Sequence, residues 1–484
     1  MENNDLNNEV NQNNKSKKID TSILFICSFL SLEVLAFVVF GLSNNFIVYA
    51  FLGLILLLGL LFASINELKK KDIISYAYLG FPLIIYSLFL IVSPFANSDF
   101  MSFGERVMVP FGLVSFSLCG YLFSYKKSIK LKNVFLAVYV ALFLYTIIGF
   151  FYTMIQFEPF YGFTYSNAYI FYDGKPSVVP IGKIAYSLMG FKIQEVSLQY
   201  FSLYPTLLAT SCFALLFINP KKETKLFVLY AVFALVGFLA LIFMSNKFVL
   251  ISLVALLFVL ILLSLTFKDV VKIKILNKII LAFEILFSFW FVFFFILSQS
   301  SLTFLDPLRN VLYNIPLFGK VFSLGRYRVI LDGLFTKNKI LGCFDVNNTT
   351  SSESLLFDSF SYSGLLGGLA ILFLMFFTIH LCLKYLNKNK DEKDGYKYLL
   401  VTFVFAYFAC SFFNSDATPY VNYANVMLST LNGPFLLVIF LLGFALYDTH
   451  SSKEKEDLIK DVTIENNNEN IYEVMEENKN EKDK

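Results

Sequence analysis

Charged residues are scarce in this chain: Asp, Glu, Lys and Arg make up 15% of its 484 residues, whereas 57% are hydrophobic. Soluble domains carry roughly 25% charged residues, so an ordinary soluble protein is excluded. Strand-length segments of alternating apolar and polar residues are also missing, which excludes a transmembrane β-barrel. The composition therefore indicates helices that cross a lipid bilayer.

Cysteine is sparse, and no CxxC pattern is present. Five of the six cysteines fall in apolar tracts, and only Cys343 lies in a predicted loop. Neither a disulfide framework nor a cysteine-based zinc site fits this distribution, and we expect no metal and no cofactor. The net charge of +3 says little about partners, and no nucleic-acid partner is expected.

Long apolar tracts are abundant. A helix needs about 20 apolar residues to cross a hydrocarbon core of roughly 30 Å. The sequence predicts an all-α polytopic membrane protein with twelve spans, at about 21–42, 46–65, 73–94, 107–124, 133–156, 197–218, 226–244, 248–267, 279–299, 363–386, 398–415 and 425–447. The first tract is too long for a signal-peptide core and lacks a small-residue cleavage pattern, so it is predicted to be retained.

Lysines sort the short connections into two groups. One face, including "KSKK" near the start of the chain, holds twenty-one lysines, and the short loops opposite hold only Lys247 and Arg106. An excess of Lys and Arg in short loops marks the cytoplasmic side. The membrane domain, 21–447, therefore has both ends inside, and the polar segments 1–20 and 448–484 are predicted to be disordered cytoplasmic ends.

Two long outer loops, 157–196 and 300–362, are predicted, and loops of this length usually carry function. The chain has four arginines against thirty-five lysines, and every arginine falls on the outer side. Guanidinium offers a rigid fork that matches phosphate or carboxylate oxygens. The segregation indicates an external anion site. The alternative is surface arginines that pair with lipid headgroups and nearby acids, namely Glu105, Asp306 and Asp332.

The stretch "SLGRYRVILDGLF" (323–335) holds two of these arginines. If it is helical, Arg326 and Arg328 point in almost opposite directions. Arg326 is the better anion ligand because backbone N–H groups at a helix start would assist it. Arg328 lies one turn before Asp332 and is more simply its ion-pair partner. Arg309 lies in "LDPLRN", where no periodic pattern of apolar residues indicates which way its side chain points.

Carboxylates follow in the same loop. Glu353 completes a capping box with Thr350 and would then only bond the backbone. As a functional group, Glu353 would accept a proton from a sugar hydroxyl. Asp358, about one turn later, is a second candidate. "GLLGG" (364–368) would let span ten pack closely against its neighbours.

These motifs resemble those of the O-antigen polymerase and ligase superfamily over about forty-five residues. The matching residues are Gly325-Arg326, Leu341-Gly342, Glu353-Ser354-Leu355-Leu356 and Gly364-Leu365-Leu366-Gly367. The resemblance implies a metal-independent glycosyltransferase in the bacterial cytoplasmic membrane. Its substrates would be undecaprenyl-diphosphate-linked oligosaccharides on the outer face, with loop arginines on the pyrophosphate. A flippase and a chain-length regulator would be partners.

One departure separates the two branches of that superfamily. Ligases carry a histidine near the position of Glu353, whereas this chain has only His380, in span ten toward the cytoplasm, and His450, in the tail. The difference favours a Wzy-like repeat-unit polymerase over a ligase. Lys247, in the "MSNKF" turn, stands where the family has arginine and, with Arg106, could assist at the phosphates. Both could equally be solvated or snorkelling cations.

Other polar features remain open. Glu33 and Glu284 are intramembrane carboxylates that are either functional or protonated and structural, and Glu284 could reach the inner interface. Pro205 predicts a kink in span six. The aromatic loop 157–196 suits a membrane-interface belt or an acceptor-sugar platform. Competing functions are a lipid-linked oligosaccharide flippase and a shape- or division-type peptidoglycan polymerase.

Overall fold

Apolar helices joined by short polar connections form most of the described chain. The computed structural model describes residues 70–92, most of 113–124 and of 138–147, 167–172, 175–180, 183–188, 191–218, 224–244, 246–267, 273–297, 303–313, 354–388, 396–411, 420–423, 428–431 and 434–450. The first two predicted spans and the chain ends lie outside these residues.

Nine helices are labelled here in chain order: α1 (Lys70–Val92), α2 (Leu198–Ile218), α3 (Thr224–Met244), α4 (Asn246–Phe267), α5 (Ile273–Leu297), α6 (Asp306–Tyr313), α7 (Leu355–Lys388), α8 (Tyr396–Ser411) and α9 (Pro434–His450). Further helical residues occur within 113–124 and 138–147. Among the described residues, three helices contain stretches long and apolar enough to cross a membrane: Ile73–Val92, Ile275–Phe293 and Ser363–Asn387. The prediction of a helical protein with membrane-spanning segments is confirmed for these three helices. The total of twelve spans stays a prediction.

Most helix boundaries agree with the apolar tracts, but three helices begin elsewhere. Helix α7 begins at Leu355 instead of 363. Helix α5 begins at Ile273, so the last residues of the predicted inner loop 268–278 are helical. The last helix begins at Pro434 instead of 425, and Leu428–Leu431 before it is a strand. Proline favours a first helical turn because its φ angle suits the helix and it has no N–H to leave unpaired.

Three two-stranded antiparallel hairpins were not predicted. Strands β1 (Asn167–Tyr172) and β2 (Lys175–Pro180) pair with Asn167 opposite Pro180. Strands β3 (Lys183–Leu188) and β4 (Phe191–Ser197) pair next, with a register shift between Ala185 and Ser187. Both hairpins lie in the predicted loop 157–196, and β4 runs directly into α2. The third hairpin joins β5 (Tyr420–Tyr423) to β6 (Leu428–Leu431).

Helix α2 lies at the centre of the packing and contacts α3, α4 and α8. Helix α7 contacts α1, α8 and α5. Between Leu400 and Ser411, α8 is buried at every residue except Ala409, as expected of a helix that is apolar on all sides. Helix α8 thus contributes all of its sides to the core, whereas α1 and α5 contribute only part of their surface.

Buried hydroxyl groups in these helices bond mostly to their own backbone. Thr210 donates to the Thr206 carbonyl at 2.7 Å, and Thr378 donates to Leu374 at 2.6 Å. This i to i−4 bond satisfies a polar group where no water is present. Serine and threonine in these spans therefore need no ligand to explain them.

Candidate functional site

The seven residues of the predicted site, five cations for the anion and two acids for the acceptor hydroxyl, are only partly described. Three of the seven lie in described helices: Lys247 is the second residue of α4, Arg309 lies in α6, and Asp358 is the fourth residue of α7. Four lie outside the described residues, namely Arg106, Arg326, Arg328 and Glu353. The structure therefore tests only where the helices that carry Lys247, Arg309 and Asp358 lie.

Helices α5 and α7 run antiparallel. Asn277, near the start of α5, bonds to His380, near the end of α7. At the other end, the rings of Phe291 and Phe360 lie 5.3 Å apart between centroids. The end of α4 joins the first group, because Leu265 and Leu276 line the same cavity.

This arrangement puts the start of α4, the end of α5 and the start of α7 at the opposite end of the bundle. Lys247 and Asp358 lie at that end, and α6 with Arg309 begins nine residues beyond Leu297. The helix ends that carry Lys274, Lys278 and Lys388 lie at the His380 end. The described part of the chain thus separates two chemically different ends of the bundle.

The start of α7 has a distinctive backbone. Gly364 has φ 69° and ψ −168°, which interrupts the helix between residues 355–363 and the long apolar segment. A positive φ is the conformation that glycine adopts without steric cost. Ser354, Leu355 and Leu356 before the break are buried. The first residues of α7, with Ser354 just before them, are therefore packed into the protein.

Gly367 and Gly368, which follow the break, allow close packing against different groups. A Cβ atom at Gly368 would collide with the ring of Phe360, from the segment before the break. A Cβ atom at Gly367 would collide with Ser363 and lie 3.4 Å from Phe89 of α1. We expected this motif to allow packing against neighbouring spans; it also lets α7 fold against itself.

A polar cluster lies at the other end of the bundle. His380 Nδ1 donates a hydrogen bond to Asn277 Oδ1 at 2.6 Å. His380 Nε2 and Glu284 Oε2 are joined by a second hydrogen bond of 2.8 Å. Glu284 is 8% exposed, so it is buried against His380 and does not extend to the inner interface as we had considered. Its Oε1 atom is buried with no partner among the described residues.

This cluster brings two ionisable groups into direct contact. Nε2 and Oε2 are 2.8 Å apart, so one hydrogen bond joins the imidazole to the carboxyl group. An ionisable group that has a partner is less costly to place in an apolar bundle than one left alone.

Sequence reasoning noted Glu284 and His380 separately and did not pair them. The missed signal is that adjacent antiparallel spans each carry an ionisable residue at a similar distance from the lysine-rich side. Such intramembrane groups are expensive in lipid unless they find each other.

An apolar cavity of about 360 Å³ adjoins the cluster between α4, α5 and α7. Its walls include Phe258, Leu262, Phe283 and Met375, and Glu284 is the one ionisable residue that lines it. Sugars and diphosphates need many hydrogen-bond donors, which these walls do not offer. The cavity is therefore a poor glycan site.

Within the described residues, no group of three or more His, Cys, Asp or Glu side chains could hold a metal ion. No family model matches the chain, and comparisons with curated proteins and with solved structures find no match.

Proposed function

We propose that this chain polymerises lipid-diphosphate-linked oligosaccharide repeat units on the outer face of the bacterial cytoplasmic membrane. Undecaprenyl diphosphate is the carrier in this proposal. The product is a surface polysaccharide such as capsule, O-antigen or exopolysaccharide, and no metal takes part.

One observation carries the proposal: every arginine lies on the side predicted to be outside, whereas the lysines crowd the opposite short loops. Orientation alone would favour cations inside, so outer arginines need another reason. A diphosphate on a membrane-bound carrier supplies that reason, because guanidinium matches its oxygens in geometry and charge. The antiparallel order of α4, α5 and α7 supports it, since α4 and α7 carry Lys247 and Asp358 to one end of the bundle. Helix α6, with Arg309, begins nine residues after α5 ends there.

The chemistry is a glycosyl transfer. The bond between the anomeric carbon of the growing glycan and its diphosphate breaks, and the anomeric carbon bonds to a hydroxyl oxygen of the next lipid-linked unit. Arg326 and Arg309 stabilise the charge that develops on the departing diphosphate, and Lys247 and Arg106 assist. Glu353 orients the acceptor hydroxyl and takes its proton.

The test is Arg326→Lys, compared with deletion of the gene. Lysine keeps the charge but loses the two-pronged hydrogen bonding, so we expect most of the polymer to disappear while the protein level is unchanged. Arg328→Lys is the matched control: if Arg328 is the ion-pair partner of Asp332, lysine can still form that pair, and the variant should retain a clear polymer ladder. Polymer of normal length and amount in Arg326→Lys cells rejects the role of Arg326.

A lipid-linked oligosaccharide flippase is the second candidate. The His380–Glu284 pair favours it, because intramembrane ionisable pairs often mark proton pathways. Surface glycan from deletion cells distinguishes the two functions. Single repeat units at the surface indicate lost polymerisation, and lipid-linked units trapped in the cytoplasmic leaflet indicate lost transport.

A further inference from the structure

The segment after α5 exposes a continuous apolar face. It consists of a single 3₁₀ turn, Thr303–Leu305, followed by α6. Phe304 is 75% exposed, Val311 is 63% exposed and Leu308 is 39% exposed. Residues three and four apart share one side of a helix, so these three side chains form a single surface, which we call the 304–311 face.

Polar residues lie on the other side. Asp306 and Asn310 are four residues apart, and both are exposed. Within α6, they lie about 160–200° around the helix axis from Leu308. The segment is therefore amphipathic, with the apolar side uncovered by the rest of the described chain.

The location of this segment identifies what covers the face. Only 11% of the apolar stretch Ile275–Phe293 of α5 is buried by protein, so its outer surface faces lipid. Thr303 follows the end of α5 by six residues, which span at most about 20 Å. The eight-residue α6 is about 12 Å long, too short to cross a core of roughly 30 Å.

We propose that Thr303–Tyr313 lies along the bilayer surface, with the 304–311 face inserted among the lipid chains just below the headgroups. Interfacial helices insert their apolar side to a depth of about 5–10 Å. The one acid and the one arginine of α6 balance each other, so insertion depends on apolar contact and not on anionic lipid. The proposal does not depend on the enzymatic function.

Depth measurements test this on the full-length protein reconstituted in phosphatidylcholine vesicles, with Cys27 and Cys343 replaced by serine. Single cysteines at 304, 308 and 311 carry an environment-sensitive fluorophore, and cysteines at 306 and 310 are the matched controls. We expect a lipid nitroxide at a shallow chain position to quench the first group several-fold more than the second. An aqueous quencher should show the reverse preference.

Two outcomes overturn the proposal. Equal access of the aqueous quencher to both groups means that the face is in water. Protection of 304, 308 and 311 from both quenchers means that protein covers it. Repeating the measurement with added phosphatidylglycerol should leave the pattern unchanged, and dependence on the anionic lipid contradicts the apolar mechanism. Glycan synthesis is not read out, so failure here leaves the proposed polymerase untouched.

Discussion

Helices α8 and α5 are both apolar, but their surroundings differ. Protein surrounds α8 on nearly all sides between Leu400 and Ser411. Helix α5 leaves most of its surface open, including large side chains such as Phe283, Leu286 and Phe289. In water such exposure would be costly, whereas in a bilayer lipid covers these groups as well as protein does.

The comparison shows what attaches each helix to the bundle. Helix α8 is held by close packing of its side chains, because nearly every side of it contacts a neighbouring helix. Helix α5 is attached to α7 by the polar contacts of Asn277, His380 and Glu284, together with ring contacts such as Phe291–Phe360. Replacing a lipid-facing apolar residue of α5 by another apolar residue should therefore change stability little. Replacing a residue of its polar cluster should lower stability.

The largest effect is expected at Gly443→Leu in α9. Any side chain there meets the backbone carbonyl of Ser117, which cannot rotate away. Overpacking against fixed backbone should cost more than about 3 kcal/mol and abolish recovery of monodisperse protein. Ala282→Leu, at an exposed position of α5, is the control and should behave like the parent in size-exclusion chromatography. Equal recovery of both variants would mean that α9 does not pack as described.

A matched pair of phenylalanines sharpens the contrast between α8 and α5. Phe403 in α8 is 0% exposed, and Phe289 in α5 is 72% exposed. Phe403→Ala should cost about 3–5 kcal/mol because it leaves a cavity. Phe289→Ala should cost no more than about 0.5 kcal/mol, as for an exposed position. Thermal unfolding in one detergent measures both, and similar losses would remove the distinction between protein-facing and lipid-facing surfaces.

A smaller effect is expected at the polar cluster. His380→Ala leaves Glu284 and Asn277 without their partner and should cost about 1–2 kcal/mol. Because the two groups act together, Glu284→Leu in that background should add little or even restore stability. Additive losses in this double-mutant cycle would show that the pair is not coupled.

Helix existence could be predicted from the sequence better than helix ends. Apolar length alone gave α2, α3 and α4 within a few residues. It failed before α9 because "VMLSTL" is apolar enough to extend the tract, although Asn432, Gly433 and Pro434 mark the true start. It failed in the loop 157–196 because apolar length does not detect short strands, and the aromatic residues there suit a membrane interface as well as a strand. The Asp-Gly between Tyr172 and Lys175 is a hairpin signal.

The candidate site was less predictable. Residue type and sidedness suggested which cations matter, but periodicity does not tell which helix faces meet. The pairing of Glu284 with His380 therefore required the fold. The break at Gly364 was also hidden, since a glycine-rich motif suits close packing and positive φ equally well.

Orientation of the two ends of α5 is the claim on which the external anion site depends. Cysteines introduced singly at 278, 310 and 326, with Cys27 and Cys343 replaced by serine and the other four cysteines buried, measure it directly. Intact cells are treated with a membrane-impermeant maleimide. The account predicts labelling of 310 and 326 in intact cells, with labelling of 278 only after permeabilisation. Labelling of 326 only after permeabilisation would contradict it, because the arginines would then face the cytoplasm.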